Sequence, residues 1–249
     1  MFDSIITLGD SWSWGSELPE SHRADLRFDS VLGKKFGLKV TNLARESASN
    51  FCYKWHWIDW INSESHIYKH PLVVVGITGP NRHLIWNNQA DFFQESPGKL
   101  ISEKMVQDNW GNNKNSGGFI RAFPNQVNFP GQSNKTCQEN FYRYNFDDTM
   151  AEIYSIWEIK FLDMLIKEHG GFPIFWSNFY SYTQIQLPWA KNLLNNCNLT
   201  NNLQSLFVYK NKNLAPQENK FFYAPRLHPN EIGHQHIAEI IANNIQVVA

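Results

Sequence analysis

Short apolar, β-branched runs alternate along the chain with segments whose apolar residues return every three or four positions. The first rhythm predicts strands and the second helices. Their alternation predicts a parallel sheet covered by helices on both faces. SIITL (4–8) is the first strand, and FDSVLGKKFG (28–37) a helix closed by Gly37. KVTNLA (39–44) is the second strand and NFCYKWHWIDWI (50–61) a very aromatic helix. PLVVVGIT (71–78) has the unbroken apolar character of a strand buried on both faces. Residues 147–171 open with acids, carry Met150, Ile153, Ile156, Trp157 and Leu165 at helical spacing, and end at Gly170, the pattern of a long amphipathic helix. FPIFWSNF (172–179) is the fourth strand, SLFVYK (205–210) a candidate fifth, and NEIGHQHIAEIIANNI (230–245) the last helix.

One stretch breaks the pattern. Residues 84–146 are rich in Asn, Gly and aromatics and show little periodicity. An irregular excursion of that length usually covers a site or meets a partner, so a protein partner is expected there if anywhere. No repeat or interdomain linker is visible, and residues 1–249 read as a single domain with this one excursion.

Composition narrows the function classes. A net charge of −1 with no long run of either sign lacks the footprint of a nucleic-acid binder. No apolar stretch approaches the roughly 20 residues of a membrane span. The opening MFDSIITLGD has an aspartate where a signal peptide carries basic residues, so a cytoplasmic location is expected. Three cysteines without CxxC spacing (Cys52, Cys137, Cys197) predict reduced, buried thiols rather than a disulfide frame or zinc site. His228, His234 and His236 do not form a metal set, because residues two apart on a helix point about 200° apart. No metal or other cofactor is expected, and no glycine-rich phosphate loop follows any strand.

In open parallel sheets, ligands collect beyond the carboxyl ends of the strands. Ser11 in GDSWSWG ends the first strand, NLARESASN (42–50) follows the second, GITGPNR (76–82) follows the third, and RLHPNEIGH (226–234) delivers His228 just before the last helix. A serine and a histidine brought to one rim are the raw material of an activated hydroxyl nucleophile. As a turn alone, the Gly-Asp-Ser stretch would need no histidine elsewhere. Asp10 is expected to anchor this loop, Arg82 to meet either an anionic group or a salt-bridge partner, and Trp12 and Trp14 to divide between core and cleft wall.

These blocks resemble the SGNH (GDSL) hydrolase family of serine esterases and acylhydrolases, in order and spacing along nearly the whole chain outside 84–146. The resemblance implies a three-layer α/β/α, flavodoxin-like sandwich, with Ser11 as nucleophile and His228 as general base. It implies an oxyanion hole from the N–H groups of Ser11 and Ser47 with a donor from Thr78 or Asn81, and as substrate a small-molecule or carbohydrate ester of an acyl or acetyl group. The chain departs from the family at the acid. The family places an aspartate three residues before the histidine, and here that residue is Pro225, with no acid between Glu218 and His228. Three outcomes are open: a main-chain carbonyl on His228 Nδ1, an acid from elsewhere, or an inactive site serving as a binding or structural subunit. A carbonyl of residues 224–227 is the expected partner, leaving a Ser11–His228 dyad.

Overall fold

The computed structural model describes residues 2–46, 48–64, 67–80, 82–86, 106–107, 119–122, 145–177, 189, 192–193, 197, 224 and 228–248. Four strands form a wholly parallel sheet in the order β2-β1-β3-β7: β1 (Ser4–Leu8), β2 (Lys39–Asn42), β3 (Pro71–Ile77) and β7 (Phe172–Ser177). The first three strands thus run 2-1-3, as in flavodoxin-like sheets, and the strand order reverses between β1 and β3. The candidate fifth strand at 205–210 lies outside the described residues.

The sheet has two faces because successive strand residues point to opposite sides. On one side Ile6, Val73, Val75 and Phe175 pack with Trp57 of α4 (Tyr53–Glu64) and Ile159 of α5 (Asp148–Glu168). On the other, Ile5, Leu72, Val74 and Trp176 pack with Leu32 of α3 (Phe28–Phe36) and Ile241 of α6 (Glu231–Val248). The result is the expected three-layer α/β/α arrangement. Because β3 is covered on both faces, all seven of its residues are buried. Gly37 closes α3 at φ 67°, a conformation that costs a glycine little.

One expectation about the elements needs correction. In α5 the apolar face was expected to include Met150 and Trp157, yet these are 41% and 51% exposed. The buried face carries Ala151, Ser155, Ile156, Ile159, Leu162 and Ile166. Both sides of this helix are apolar. The sheet took the side carrying Ile156, Ile159, Leu162 and Ile166, and on that side Ser155 Oγ accepts a hydrogen bond from Asn50 Nδ2 at 2.7 Å. Most of 84–146 lies outside the described residues. Its described part includes, with His83, a second, three-stranded sheet from β4 (His83–Trp86), β5 (Val106–Gln107) and β6 (Phe119–Ala122), in the order β4-β6-β5. Strands this short carry too few residues for alternation to stand out in the sequence.

Candidate active site

Ser11 lies just past the carboxyl end of β1, as the first residue of a one-turn helix α1 (Ser11–Trp14). Asp10 caps that turn, its Oδ1 accepting the Trp12 N–H at 3.0 Å. Asp10 is fully buried, and its Oδ2 accepts from Arg82 Nη1 at 2.9 Å. The aspartate therefore anchors the loop, as expected, and Arg82 takes the salt-bridge role. Ser11 itself is half-buried. Gly15 ends α1 at φ 78°, and the N–H groups of Gly15 and Ser16 both return to the Ser11 carbonyl, at 3.1 and 3.0 Å. The left-handed turn at Gly15 reverses the chain immediately after the serine.

The two tryptophans of GDSWSWG separate. Trp12 is 2% exposed and belongs to the core on the α6 side of the sheet. Trp14 is half-buried, with the guanidinium groups of Arg23, Arg27 and Arg45 at 5.7, 5.9 and 5.8 Å from its ring centroid. Such contacts favour a cation over the π face.

Thr78 follows β3 and is fully buried. Asn50, the last residue of NLARESASN, holds its main chain from both sides. The Asn50 Oδ1 accepts the Thr78 N–H at 2.9 Å, and Nδ2 donates to the Thr78 carbonyl at 2.9 Å. The side chain behaves like one more strand residue pairing with β3. This use of Asn50 also explains why α4 begins at Tyr53 rather than at residue 50. Ser47 and Asn81, the other expected oxyanion donors, lie outside the described residues, as does Pro225.

His228 sits three residues before α6, its loop closed by the Ala224 N–H on the His228 carbonyl at 2.8 Å. Asn230 Oδ1 accepts from the Gly233 N–H at 2.9 Å and caps the helix. The expected carbonyl of residues 224–227 is not the partner of its ring. His228 Nδ1 meets the Glu17 carboxylate, with Oε2 at 2.7 Å, and the same oxygen accepts the His228 main-chain N–H at 3.3 Å. A carboxylate only accepts, so Nδ1 carries the proton and Nε2 presents its lone pair. The family spacing would place the acid just upstream of the histidine, and this chain has none there. Glu17 comes instead from the loop behind Ser11. The one sequence signal for it was proximity: Asp10 and Glu17 are the two acids nearest to Ser11 along the chain.

The other histidines of this region are accounted for differently. His234, in α6, is fully buried, stacks on Phe28 and accepts the Phe28 N–H at Nδ1 at 3.3 Å. Burial, helped by the positive charge of Arg27 and by His228 whenever that ring is protonated, lowers its pKa to about 3, so the ring is neutral. His236 Nδ1 lies 3.8 Å from Glu239 on the same helix. Among the described residues no group of three or more His, Cys, Asp or Glu could hold a metal ion. Cys52 and Cys197 are free and buried, and burial pushes the Cys197 thiol up to about 11, away from nucleophile chemistry. Cys137 lies outside the described residues. No helix among the described residues is long and apolar enough to cross a membrane.

No protein-family model matches the chain, and no curated protein sequence does. Solved structures do resemble it. An acetyl xylan esterase aligns over 96% of this chain and 98% of its own, at 10% identity and a TM-score of 0.49. A psychrotrophic esterase from Pseudoalteromonas sp. aligns over 98% and 97%, at 11% identity and a TM-score of 0.48. A GDSL-like lipase from Bacteroides thetaiotaomicron aligns over 99% and 89%, at 13% identity and a TM-score of 0.46.

Proposed function

We propose that this chain, whose fold is SGNH/GDSL hydrolase-like, hydrolyses carboxylic esters through an acyl-serine intermediate. The observation that carries the reading is the carboxylate on His228 Nδ1, in a loop continuous with Ser11. It sets the imidazole in the tautomer that a general base requires. In the first step Ser11 Oγ attacks the ester carbonyl carbon while His228 Nε2 takes the hydroxyl proton. The tetrahedral intermediate collapses by breaking the bond to the alcohol oxygen, which receives that proton from His228. Water, deprotonated by His228, then attacks the acyl-serine, and the acid leaves as Ser11 regains its proton. The oxyanion is assigned to the N–H groups of Ser11 and Ser47 with a donor from Thr78 or Asn81. The substrates are small-molecule or carbohydrate esters with short acyl groups, acetyl included. The alternative, a non-catalytic binding subunit using 84–146 as its contact surface, rested mostly on Pro225, and the carboxylate on His228 weighs against it.

A fluorophosphonate probe, a panel of p-nitrophenyl and acetyl-sugar esters, and the variant Ser11→Ala test the proposal. The wild type is expected to label at Ser11 and to turn over short esters. Ser11→Ala is expected to lose at least ~10³-fold in kcat, since removing the nucleophile of a triad leaves little but binding and oxyanion stabilisation. Its stability is expected to stay within about 0.5 kcal/mol, as for other changes of partly exposed side chains. Equal turnover by both proteins would place the chemistry elsewhere, and no turnover or labelling by the wild type would return the binding-subunit reading.

A further inference from the structure

We propose that Glu17 is the positioning carboxylate of His228, doing from the nucleophile's own loop what the family's aspartate does from the histidine loop. This rests on the esterase reading above and deepens it, assigning to Glu17 the work of orienting and charge-stabilising the base. Three independent features of Glu17 converge on it. Its Oε2 accepts both the ring Nδ1–H and the main-chain N–H of His228, at 2.7 and 3.3 Å, so one oxygen fixes the ring and the backbone that carries it. Its side chain is 17% exposed and that of His228 is 22% exposed, so solvent only partly screens the pair. Its backbone is left-handed, φ 70°, the one positive φ outside glycine among the described residues.

The third feature matters most. A left-handed position in a surface turn suits Gly or Asn, and a long acidic side chain gains nothing there from the backbone. Conformations of this kind persist where the surrounding structure over-determines them, and they gather at functional sites. Here the surroundings are explicit. The Leu18 N–H bonds the Gly15 carbonyl at 3.2 Å, and Leu18 is buried at 4% exposure. Together with the Ser16-to-Ser11 bond, this folds residues 11–18 into one compact unit with Ser11 near its start and Glu17 near its end. Nucleophile and acid are therefore spaced by a single loop, and the base arrives from α6. In the family pattern acid and base share one loop instead. Moving the acid relieves the histidine loop of carrying it, and a proline at residue 225 then costs nothing at the base.

The rival explanation is a structural tie between the two loops. Three variants of the full chain separate them. In Glu17→Gln the charge is lost while a tether is kept: the place of Oε2 faces two N–H donors of His228, so the amide oxygen takes it and the imidazolium formed in catalysis loses its counter-charge. In Glu17→Gly the φ of 70° is relaxed, so the fold is preserved while the carboxylate is lost. Ser11→Ala removes only the nucleophile. On a short p-nitrophenyl ester, Glu17→Gln is expected to lose about 10²-fold or more in kcat with KM within about threefold, the scale of a positioned general base. Fluorophosphonate labelling should slow in parallel, and Glu17→Gly should lose as much. In proton spectra, a low-field resonance from the carboxylate-bonded Nδ1–H is expected in the wild type and in Ser11→Ala, and absent from both Glu17 variants. A kcat within about threefold of wild type in a folded Glu17 variant, while Ser11→Ala is dead, overturns the assignment and leaves the esterase reading intact. A wild type that neither turns over esters nor takes the probe overturns both.

Discussion

Acid should destabilise this protein through one buried ring. His234 is fully buried in α6, and its pKa falls from an ordinary 6.5 to about 3. The folded state thus holds it neutral, whereas the unfolded chain protonates it below pH 6.5. The unfolded state binds the extra proton throughout the window from 6.5 to 3, so stability is fully present above that window and falls as pH drops through it. The loss is about 1.4 kcal/mol per pH unit once the pH is well below 6.5. Between pH 7.5 and 5.0 this amounts to ~2 kcal/mol, from about 1.5 units below the unfolded value. That is a large share of the 5–15 kcal/mol typical of a folded domain. Urea unfolding at the two pH values, followed by tryptophan fluorescence, measures it. The variant His234→Gln should lose overall stability but also lose this ~2 kcal/mol of pH dependence, while the other histidines contribute equally to both proteins. Parallel pH dependences in wild type and variant would refute the reasoning. So would a His234 ring resonance in the native state that titrates near 6.5.

Two further outcomes follow from the polar scaffold around Ser11. Arg82→Met removes the ion-pair partner of buried Asp10 and should cost about 3 kcal/mol, the low end for breaking a buried pair because Arg82 is itself 21% exposed; an unchanged urea midpoint would show the pair to be idle. Asn50→Ala deletes three buried hydrogen bonds, to the Thr78 N–H, the Thr78 carbonyl and Ser155, and should cost roughly 2–4 kcal/mol in the same assay. Asn50→Asp should be no better, because two of those bonds are donated by the amide nitrogen that aspartate lacks. Recovery of wild-type stability by aspartate would contradict the bonding assigned to Asn50.

Much of this architecture was legible in the sequence because it depends on local rules. Strand and helix periods are properties of the backbone, so β1, β3, α3 and α6 could be placed from the spacing of apolar residues and a closing glycine. The continuous apolar run of β3 announced a strand covered on both faces. Asp10 was readable as a loop anchor because short carboxylates cap the turn that follows them. What the sequence left undecided were choices between options that look alike locally. Helix α5 is apolar on both sides, and only the sheet, by accepting the side with Ala151 and Ser155, chose which to bury. Asn50 reads as the start of a helix until β3 ends within reach of its side chain. The acid opposite His228 was the least local of all. No rule of periodicity or spacing links residues 211 positions apart, and Glu17 meets His228 only because a left-handed turn after Ser11 and the loop leading into α6 end at the same rim of the sheet. Covalent geometry sets the elements, and the packing of the finished sheet sets which distant side chains share a hydrogen bond.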